Sequence, residues 1–212
     1  REKAFAVNVK GTADLLEAAA LQKATIVFLS TDFIFDGSTG MYREEDLPGP
    51  VNYYGQTKLE AELLTRQYPY DYSIARTVLV YGNNRSGRKN ILGMVKDKLE
   101  RGEPFKVVDD QLRTPTFIED LSAGITKIIR ERAKGIFHIA GEEQMTPYEM
   151  ARRTAVYLGL DTGLLQRVNG STFTEPARRP LKTGFNISKA KQELGYQPVS
   201  LETGLQHTFN QK

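Results

Sequence analysis

Tyr54 and Lys58 are the side chains in this sequence whose types and spacing best suit proton transfer. They lie four residues apart in a segment of helical character, which places both on one helix face. A phenol has a pKa of about 10, and a nearby ammonium group stabilises the phenolate, so the pair could donate a proton near neutral pH. The same spacing also occurs on solvated helix faces and arises readily by chance.

Ser30, Thr31 and Asp32 end the strand that the apolar run, residues 24–30, predicts. Ligands of open α/β sheets bind beyond the carboxyl ends of the strands, so the Thr31 hydroxyl could hold a substrate carbonyl while Tyr54 protonates it. Side chains of these types also form turns and helix caps. Asn8, at the edge of the apolar face of the first helix, could bind a water or a backbone group, and its spacing favours a structural role.

Helices and strands that alternate along the chain must position these residues. Apolar residues recur at helical spacing in 3–20 and 53–67, and runs rich in β-branched residues follow each of these helices. The remaining signals are a capping box at 116–119, a helix start at Thr146 and a helix stop at Gly195. The predicted helices are 3–20, 53–67, 90–101, 116–132, one from 147, 188–194 and one from 201, and the predicted strands are 24–30, 72–81, 106–108 and 135–140. This order predicts an α/β fold, a Rossmann-like parallel sheet with helices on both faces, in which residues 24–30 are buried on both sides.

No glycine-rich turn of the form G-x-G-x-x-G or G-x-x-G-x-x-G occurs in the sequence. Dinucleotide folds need such a turn so that backbone N–H groups can approach the pyrophosphate. Either the protein binds no dinucleotide or the first strands of the sheet are missing, and the start at Arg1 within a helix, without Met, favours the second. We therefore expect a bare sheet edge, and about 60 to 90 further residues upstream.

The composition excludes several classes of function. The 29 Lys and Arg residues nearly balance the 26 Asp and Glu residues, and without a dense basic run nucleic acid is not an expected partner. The absence of Cys excludes disulfides and cysteine zinc sites, and no metal is expected. Because no apolar stretch approaches about 20 residues, no membrane partner is expected and the cytoplasm is the predicted location.

Five motifs occur in the order found in extended short-chain dehydrogenases/reductases. They are Asn8-Val-Lys-Gly-Thr, Ser30-Thr-Asp-Phe-Ile-Phe-Asp-Gly37, Tyr54-Gly-Gln-Thr-Lys58, Arg76-Thr-Val-Leu-Val-Tyr-Gly82 and Asp110-Gln-Leu-Arg-Thr-Pro-Thr116. The second and the fifth most resemble those of dTDP-4-dehydrorhamnose reductases, and residues 135–141 and 179–195 continue the match. The chain thus resembles this family over nearly its whole length. It departs from rhamnose-pathway reductases at Leu79, a position that is often aromatic there.

The resemblance implies a role for each matched residue. Thr31 would orient the carbonyl, Tyr54 would be the acid, Lys58 would lower the Tyr54 pKa and touch the nicotinamide ribose, and Asn8 would help to complete a proton relay. The cofactor would be NAD or NADP, also contacted by Ser30 and by backbone near Arg76 and Thr77. The residues expected at the sugar nucleotide are Thr31, Asp32, Asn90, Arg113, Arg178 and Arg179. A guanidinium group matches a diphosphate bidentately, although Arg178 and Arg179 could equally be surface charges.

Reduction of the 4-keto group of a nucleotide-linked deoxysugar is the function that the resemblance implies. Residues 1–82 would form the later part of the cofactor domain with the catalytic residues, and residues 83–212 a small α/β part that mainly binds substrate. A second copy of the chain is a candidate partner. Two alternatives remain open: a sugar-nucleotide epimerase or dehydratase that recycles its cofactor, and a non-catalytic regulatory subunit like the beta subunit of methionine adenosyltransferase.

Overall fold

The computed structural model describes residues 1–83, 90–173 and 177–210, in which helices and strands alternate. A π-helical turn, Ala6–Lys10, joins the first two helices into one continuous rod. The helices are α1 (Glu2–Phe5), α2 (Gly11–Leu21), α3 (Tyr53–Arg66), α4 (Ile91–Glu100), α5 (Ile118–Arg130), α6 (Pro147–Tyr157), α7 (Ser188–Leu194) and α8 (Leu201–Phe209). The strands are β1 (Ile26–Thr31), β2 (Tyr72–Thr77), β3 (Val80–Tyr81), β4 (Phe105–Val108), β5 (Thr116–Phe117), β6 (Gly135–His138) and β7 (Leu165–Val168).

The main sheet is parallel, with the strand order β1-β2-β6. Successive side chains of β2 point to opposite faces, and helices cover both. Arg76 contacts Glu62 of α3 on one face, while Ala75 belongs on the other to a buried cluster that includes Leu121 and Ile128 of α5. The predicted α/β class, with a parallel sheet and helices on both faces, is therefore confirmed.

Two further parallel strand pairs, β3–β5 and β4–β7, lie outside the main sheet. The β4–β7 pair packs against α4 and α6 around a buried cluster that includes Val95, Val107, Ala155 and Leu165. The sequence analysis did not predict β7, because its four residues carry no alternating apolar pattern strong enough to indicate a strand. This second layer forms one wall of the cavity described below.

Within the described residues, β1 is an edge strand of the main sheet. The prediction that this strand is buried on both faces is wrong, because the side chain of Leu29 is 44% exposed and Ile26, Val27 and Phe28 are only partly buried. At β1 the helices α3 and α5 cover the sheet incompletely. The apolar run resembles that of a central strand although its position here is peripheral.

Local signals predicted most helix ends correctly. The Thr146 side chain accepts a hydrogen bond from the Glu149 amide at 3.1 Å, and Gly195 ends α7 in the left-handed conformation at φ 58°. The capping box at 116–119 is wrong, because the Thr116 hydroxyl donates instead to the carbonyl of Val78 at 2.7 Å, where β5 pairs with β3. The predicted strand 72–81 is interrupted at Leu79, whose φ of 36° lies in the left-handed region.

Candidate active site

Tyr54 stands at the first turn of α3, against the turn that follows β1. The Asn52 side chain caps the helix by accepting from the Gly55 amide at 2.9 Å. The Tyr54 ring packs edge to face on Phe33, with the ring centroids 5.9 Å apart. Interaction with the Thr31 hydroxyl lowers the Tyr54 pKa, so the two hydroxyl groups are close neighbours. The structure thus brings together Tyr54 of α3 and Thr31 at the carboxyl end of β1.

Burial raises the pKa of Tyr54 above its usual value, and the carboxylate of Asp32 raises it further, against the opposing effect of Thr31. The net lowering of the Tyr54 pKa that was expected from Lys58 does not occur in this structure. Partial desolvation of the phenol, in a residue that is 45% exposed, outweighs the opposing influence, and the Lys58 ammonium group is bonded to the carbonyl of Leu29. The consequence suits an acid, since a raised pKa keeps Tyr54 protonated at neutral pH and able to donate.

Lys58 lies one turn after Tyr54 on α3. Its ammonium group donates to the carbonyl of Leu29 at 2.7 Å and sits 4.1 Å from the centre of the Phe28 ring. Burial lowers the Lys58 pKa to about 8, although the negative charge of Glu62 opposes this shift. The ammonium group is thus fixed at the carboxyl end of β1 and is charged below about pH 8.

Asn8 lies in the π-helical turn between α1 and α2. Its side-chain amide donates to the Thr57 hydroxyl at 2.9 Å, and Thr57 donates to the carbonyl of Tyr54 at 2.9 Å. A π-turn inserts an extra residue and so changes the direction of the side chains it carries. The amide of Asn8 is therefore tied to α3 through Thr57. The sequence analysis missed this link, although Thr57 stands between Tyr54 and Lys58.

The Ser30 hydroxyl provides a test of whether this site suits a bound dinucleotide. Ser30 is buried, and among the described residues its oxygen is the only buried side-chain polar atom without a hydrogen-bond partner. Buried polar groups are normally paired, so an unpaired one at a strand end fits a polar ligand that completes it. The Lys58 ammonium group at the same strand end adds a donor that suits ribose hydroxyls. The described residues contain no group of three or more His, Asp or Glu side chains placed to hold a metal ion.

Two of the predicted ligand residues use their side chains within the protein. The Arg76 guanidinium forms a bidentate pair with Glu62, at 3.0 and 2.8 Å, and both side chains are completely buried. Only the backbone of Arg76 can therefore contact a cofactor. The same holds for Thr77, because it is buried and its hydroxyl donates to that of Thr116 at 3.2 Å. The sequence analysis did not predict the buried pair of Arg76 and Glu62, because the two residues lie 14 positions apart on different elements.

A cavity of about 810 Å³ opens beside the Thr31–Tyr54 pair. The turn Asp32–Ile34 forms its near end, and α4, β4 and the segment after residue 177 form its walls. Thr31, Tyr54 and Lys58 are not part of the lining, but Asp32 and Phe33 are, and the Tyr54 ring packs on Phe33. The lining combines apolar and charged side chains, among them Leu79, Ile91, Met94, Phe105, Lys106, Asp110, Arg178 and Arg179. Such a cavity suits an elongated ligand with an apolar part and an anionic part.

The predicted substrate residues differ in how they meet this cavity. Arg178 and Arg179 are exposed and lie on its wall, which leaves a diphosphate role open to them. Asn90 caps α4, accepting from the Gly93 amide at 3.1 Å and donating to the carbonyl of Gly82 at 2.7 Å, so its side chain is engaged with the backbone. Arg113 is only 4% exposed.

The Nη atoms of the Arg113 guanidinium donate to four protein groups. Its Nη atoms donate to the carbonyls of Leu112, Leu181 and Pro180 and to the Gln111 side chain, at 2.7 to 3.0 Å. Its Nε lies 3.7 Å from Asp32. Arg113 lines the cavity, but its Nη donors already bind protein groups, so a contact with a diphosphate stays a prediction for this side chain.

Gly55 sets the distance between α3 and the turn after β1. A Cβ atom at this position would overlap the carbonyl oxygen of Phe33 and touch Pro50. We expect Gly55→Ala to lower the free energy of unfolding by about 1–3 kcal/mol, the usual cost of overpacking, and to displace Tyr54. Urea unfolding measures this change. Gly11→Ala is the matched control, because its Cβ would make only ordinary contact at 3.6 Å, and a stability loss equal to that of Gly55→Ala would contradict the prediction.

Comparisons with known proteins match the chain to one family and to several relatives. Residues 1–212 match the family described as RmlD substrate binding domain. The dTDP-4-keto-6-deoxy-D-glucose reductase of Streptomyces niveus is 34% identical over 198 residues, covering 92% of this chain and 67% of that protein. Methionine adenosyltransferase 2 subunit beta of Pongo abelii is 31% identical over 194 residues, covering 89% of this chain and 58% of that protein. This chain therefore spans little more than half the length of that relative.

A solved structure shows the same architecture. The crystal structure of dTDP-4-dehydrorhamnose reductase from Bacillus anthracis str. Ames, in complex with NADP, superposes with a TM-score of 0.89 at 27% sequence identity. The alignment covers 97% of this chain and 72% of that chain.

Proposed function

Because the chain belongs to the RmlD substrate binding domain family, we propose that it is the catalytic and substrate-binding part of an NAD(P)H-dependent reductase. The reaction is the reduction of the 4-keto group of a nucleotide-linked deoxysugar. The observation that carries this proposal is the meeting of Thr31 and Tyr54 at the end of β1, beside a cavity whose wall carries Arg178 and Arg179. Related reductases and an NADP-bound neighbour support it.

The cofactor, when bound, supplies a hydride to the keto carbon. The Ser30 hydroxyl and the Lys58 ammonium group, both at the end of β1, would hold it together with backbone near Arg76 and Thr77. The unpaired Ser30 oxygen supports this placement. Residues 1–82 contribute these groups, and residues 83–212 contribute most of the cavity wall.

Tyr54 is the acid of the proposed reaction. Its phenol is protonated at neutral pH and faces the Thr31 hydroxyl, so a carbonyl oxygen held at this pair receives the Tyr54 proton as negative charge develops on it. Lys58 then stabilises the phenolate electrostatically, and the link through Thr57 to Asn8 fixes the helix turn that carries Tyr54. The apolar part of the cavity excludes water, which strengthens these interactions.

Stoichiometry tests the proposal against an epimerase or dehydratase, which would return its cofactor unchanged. We expect the intact protein to oxidise one NAD(P)H for each 4-keto sugar nucleotide consumed. Full conversion of the sugar with no loss of absorbance at 340 nm would contradict a reductase. The same assay without sugar nucleotide controls for futile oxidation.

A non-catalytic regulatory subunit is the second candidate, since methionine adenosyltransferase 2 subunit beta is among the relatives. Tyr54 and Lys58 are both present here, one turn apart on α3 at the carboxyl end of β1, which supports the reductase. A stable complex with a methionine adenosyltransferase, together with no oxidation of NAD(P)H on any 4-keto sugar nucleotide, would reverse this ranking.

A further inference from the structure

Asp32 is a buried carboxylate that joins the catalytic turn to the cavity wall. It is 4% exposed and follows Thr31 directly. The Thr31 hydroxyl donates to its Oδ1 atom at 3.0 Å, and the Thr183 hydroxyl donates to its Oδ2 atom. The guanidinium of Arg113 lies 3.7 Å away, measured from Nε to Oδ2. Both carboxylate oxygens are thus engaged, one by the catalytic threonine and the other by residues distant in the sequence.

Thr183 and Arg113 belong to the structure that bounds the cavity. The segment 178–183 carries Arg178 and Arg179 and is pinned by hydrogen bonds at several points. Arg113 donates to the carbonyls of Pro180 and Leu181 at 2.7 and 2.9 Å, and the Asn52 side chain, which also caps α3, donates to the carbonyl of Arg178 at 2.8 Å. The same segment therefore contacts the cap of the Tyr54 helix at one end and Asp32 at the other.

We propose that Asp32 and Thr183 are positioning residues for the reduction, and that they couple the substrate-side segment 178–183 to the Thr31 hydroxyl. This inference rests on the proposed function. The Thr31 oxygen accepts from the Phe33 amide at 3.3 Å while its proton is directed to Asp32, so the protein holds this hydroxyl from two sides. An ionised carboxylate accepts from both threonine hydroxyls at once without needing an acceptor of its own.

The charged and titratable groups around Asp32 decide how its ionisation responds to a substitution. Burial raises the pKa of Asp32, and the Thr183 hydroxyl, the Arg113 guanidinium and the Thr31 hydroxyl lower it, in that order. Tyr54 is the titratable group of α3 that interacts with Asp32. The charges of Asp110 and Arg179 affect the pKa of Arg113. Removal of the Thr183 hydroxyl therefore raises the Asp32 pKa, because the largest of the lowering influences is lost.

Thr183→Val tests the coupling, because it removes the hydroxyl and nearly keeps the shape. We expect kcat to fall about tenfold at neutral pH with KM changed less than about twofold, and the acid limb of the kcat profile to move to higher pH. Thr183→Ser should restore kcat to within about twofold of the wild type. Thr154→Val is the matched control, since it removes an equally buried hydroxyl that bonds only to the carbonyl of Met150.

Two outcomes overturn the proposal and separate it from the reductase assignment. If the wild type is active and the acid limb of the kcat profile is unshifted in Thr183→Val, Thr183 is structural only. The second readout needs no turnover: the carboxyl carbon of Asp32 is titrated by NMR in the labelled intact protein. If the wild type reduces no sugar nucleotide, the proposed function fails, and the titration still decides whether Thr183 governs Asp32. An Asp32 pKa equal in wild type and Thr183→Val would refute the coupling.

Discussion

Tyr54→Phe should lower kcat by about 10²–10⁴-fold, because a general acid contributes a factor of this size. The phenyl ring keeps the edge-to-face packing on Phe33, so the helix and the cavity should be preserved. Binding of NADPH, measured by its fluorescence, should change less than about twofold, since the hydroxyl acts on the substrate carbonyl. Steady-state kinetics with a 4-keto sugar nucleotide measures the effect on kcat.

Tyr53→Phe is the matched control for this substitution. Tyr53 is the preceding residue of α3, partly buried, with its ring 5.4 Å from the guanidinium carbon of Arg1, and it has no part in the proposed reaction. We expect wild-type kcat from this variant. If Tyr54→Phe retained more than about one tenth of the wild-type rate, another group would have to supply the proton.

Lys58→Met should lower kcat roughly 10²-fold at pH 7 and should flatten the alkaline side of the pH profile. The direction follows from the lowered pKa of about 8: the charged amine stabilises the phenolate below this pH, and the charge is lost as the pH rises through it. The wild-type kcat should therefore decline above about pH 8, whereas in Lys58→Met no charge remains to be lost. The pH dependence of kcat from pH 6 to pH 10 measures both effects.

Lys58→Arg separates the charge of this side chain from its shape. The guanidinium stays protonated throughout the measured range, so the decline above about pH 8 should vanish while part of the activity remains. An alkaline limb that persists unchanged in both variants would show that a group other than Lys58 titrates there.

The sequence predicted the elements that carry Thr31 and Tyr54 well because their signals are local. Residues 53–67 form α3 nearly as predicted. The Thr146 side chain caps the start of α6, and the left-handed Gly195 ends α7; both signals depend only on nearby residues. Thr31 and Tyr54 could be expected to meet because parallel strands and their helices bring such ends to one edge of the sheet.

Long-range polar contacts could not be predicted in the same way. The sequence predicted Arg113 as a diphosphate ligand. Its donors are instead bonded to the carbonyls of Pro180 and Leu181, which lie far along the chain. Thr183 meets Asp32 across 151 positions without any spacing signal. The expected lowering of the Tyr54 pKa failed for a related reason, because it depends on burial and on where the Lys58 ammonium group is bonded.

The destination of the transferred hydrogen tests the proposed reduction most directly. The reaction is run in the intact protein with NADPH that carries deuterium at its transferable position, and the sugar product is examined by NMR and mass spectrometry. We predict one deuterium per product molecule, at the carbon that carried the keto group, with one cofactor oxidised for each. A product that contains no deuterium at this carbon, formed while the labelled cofactor stays intact, would contradict the assignment of this chain to a reductase.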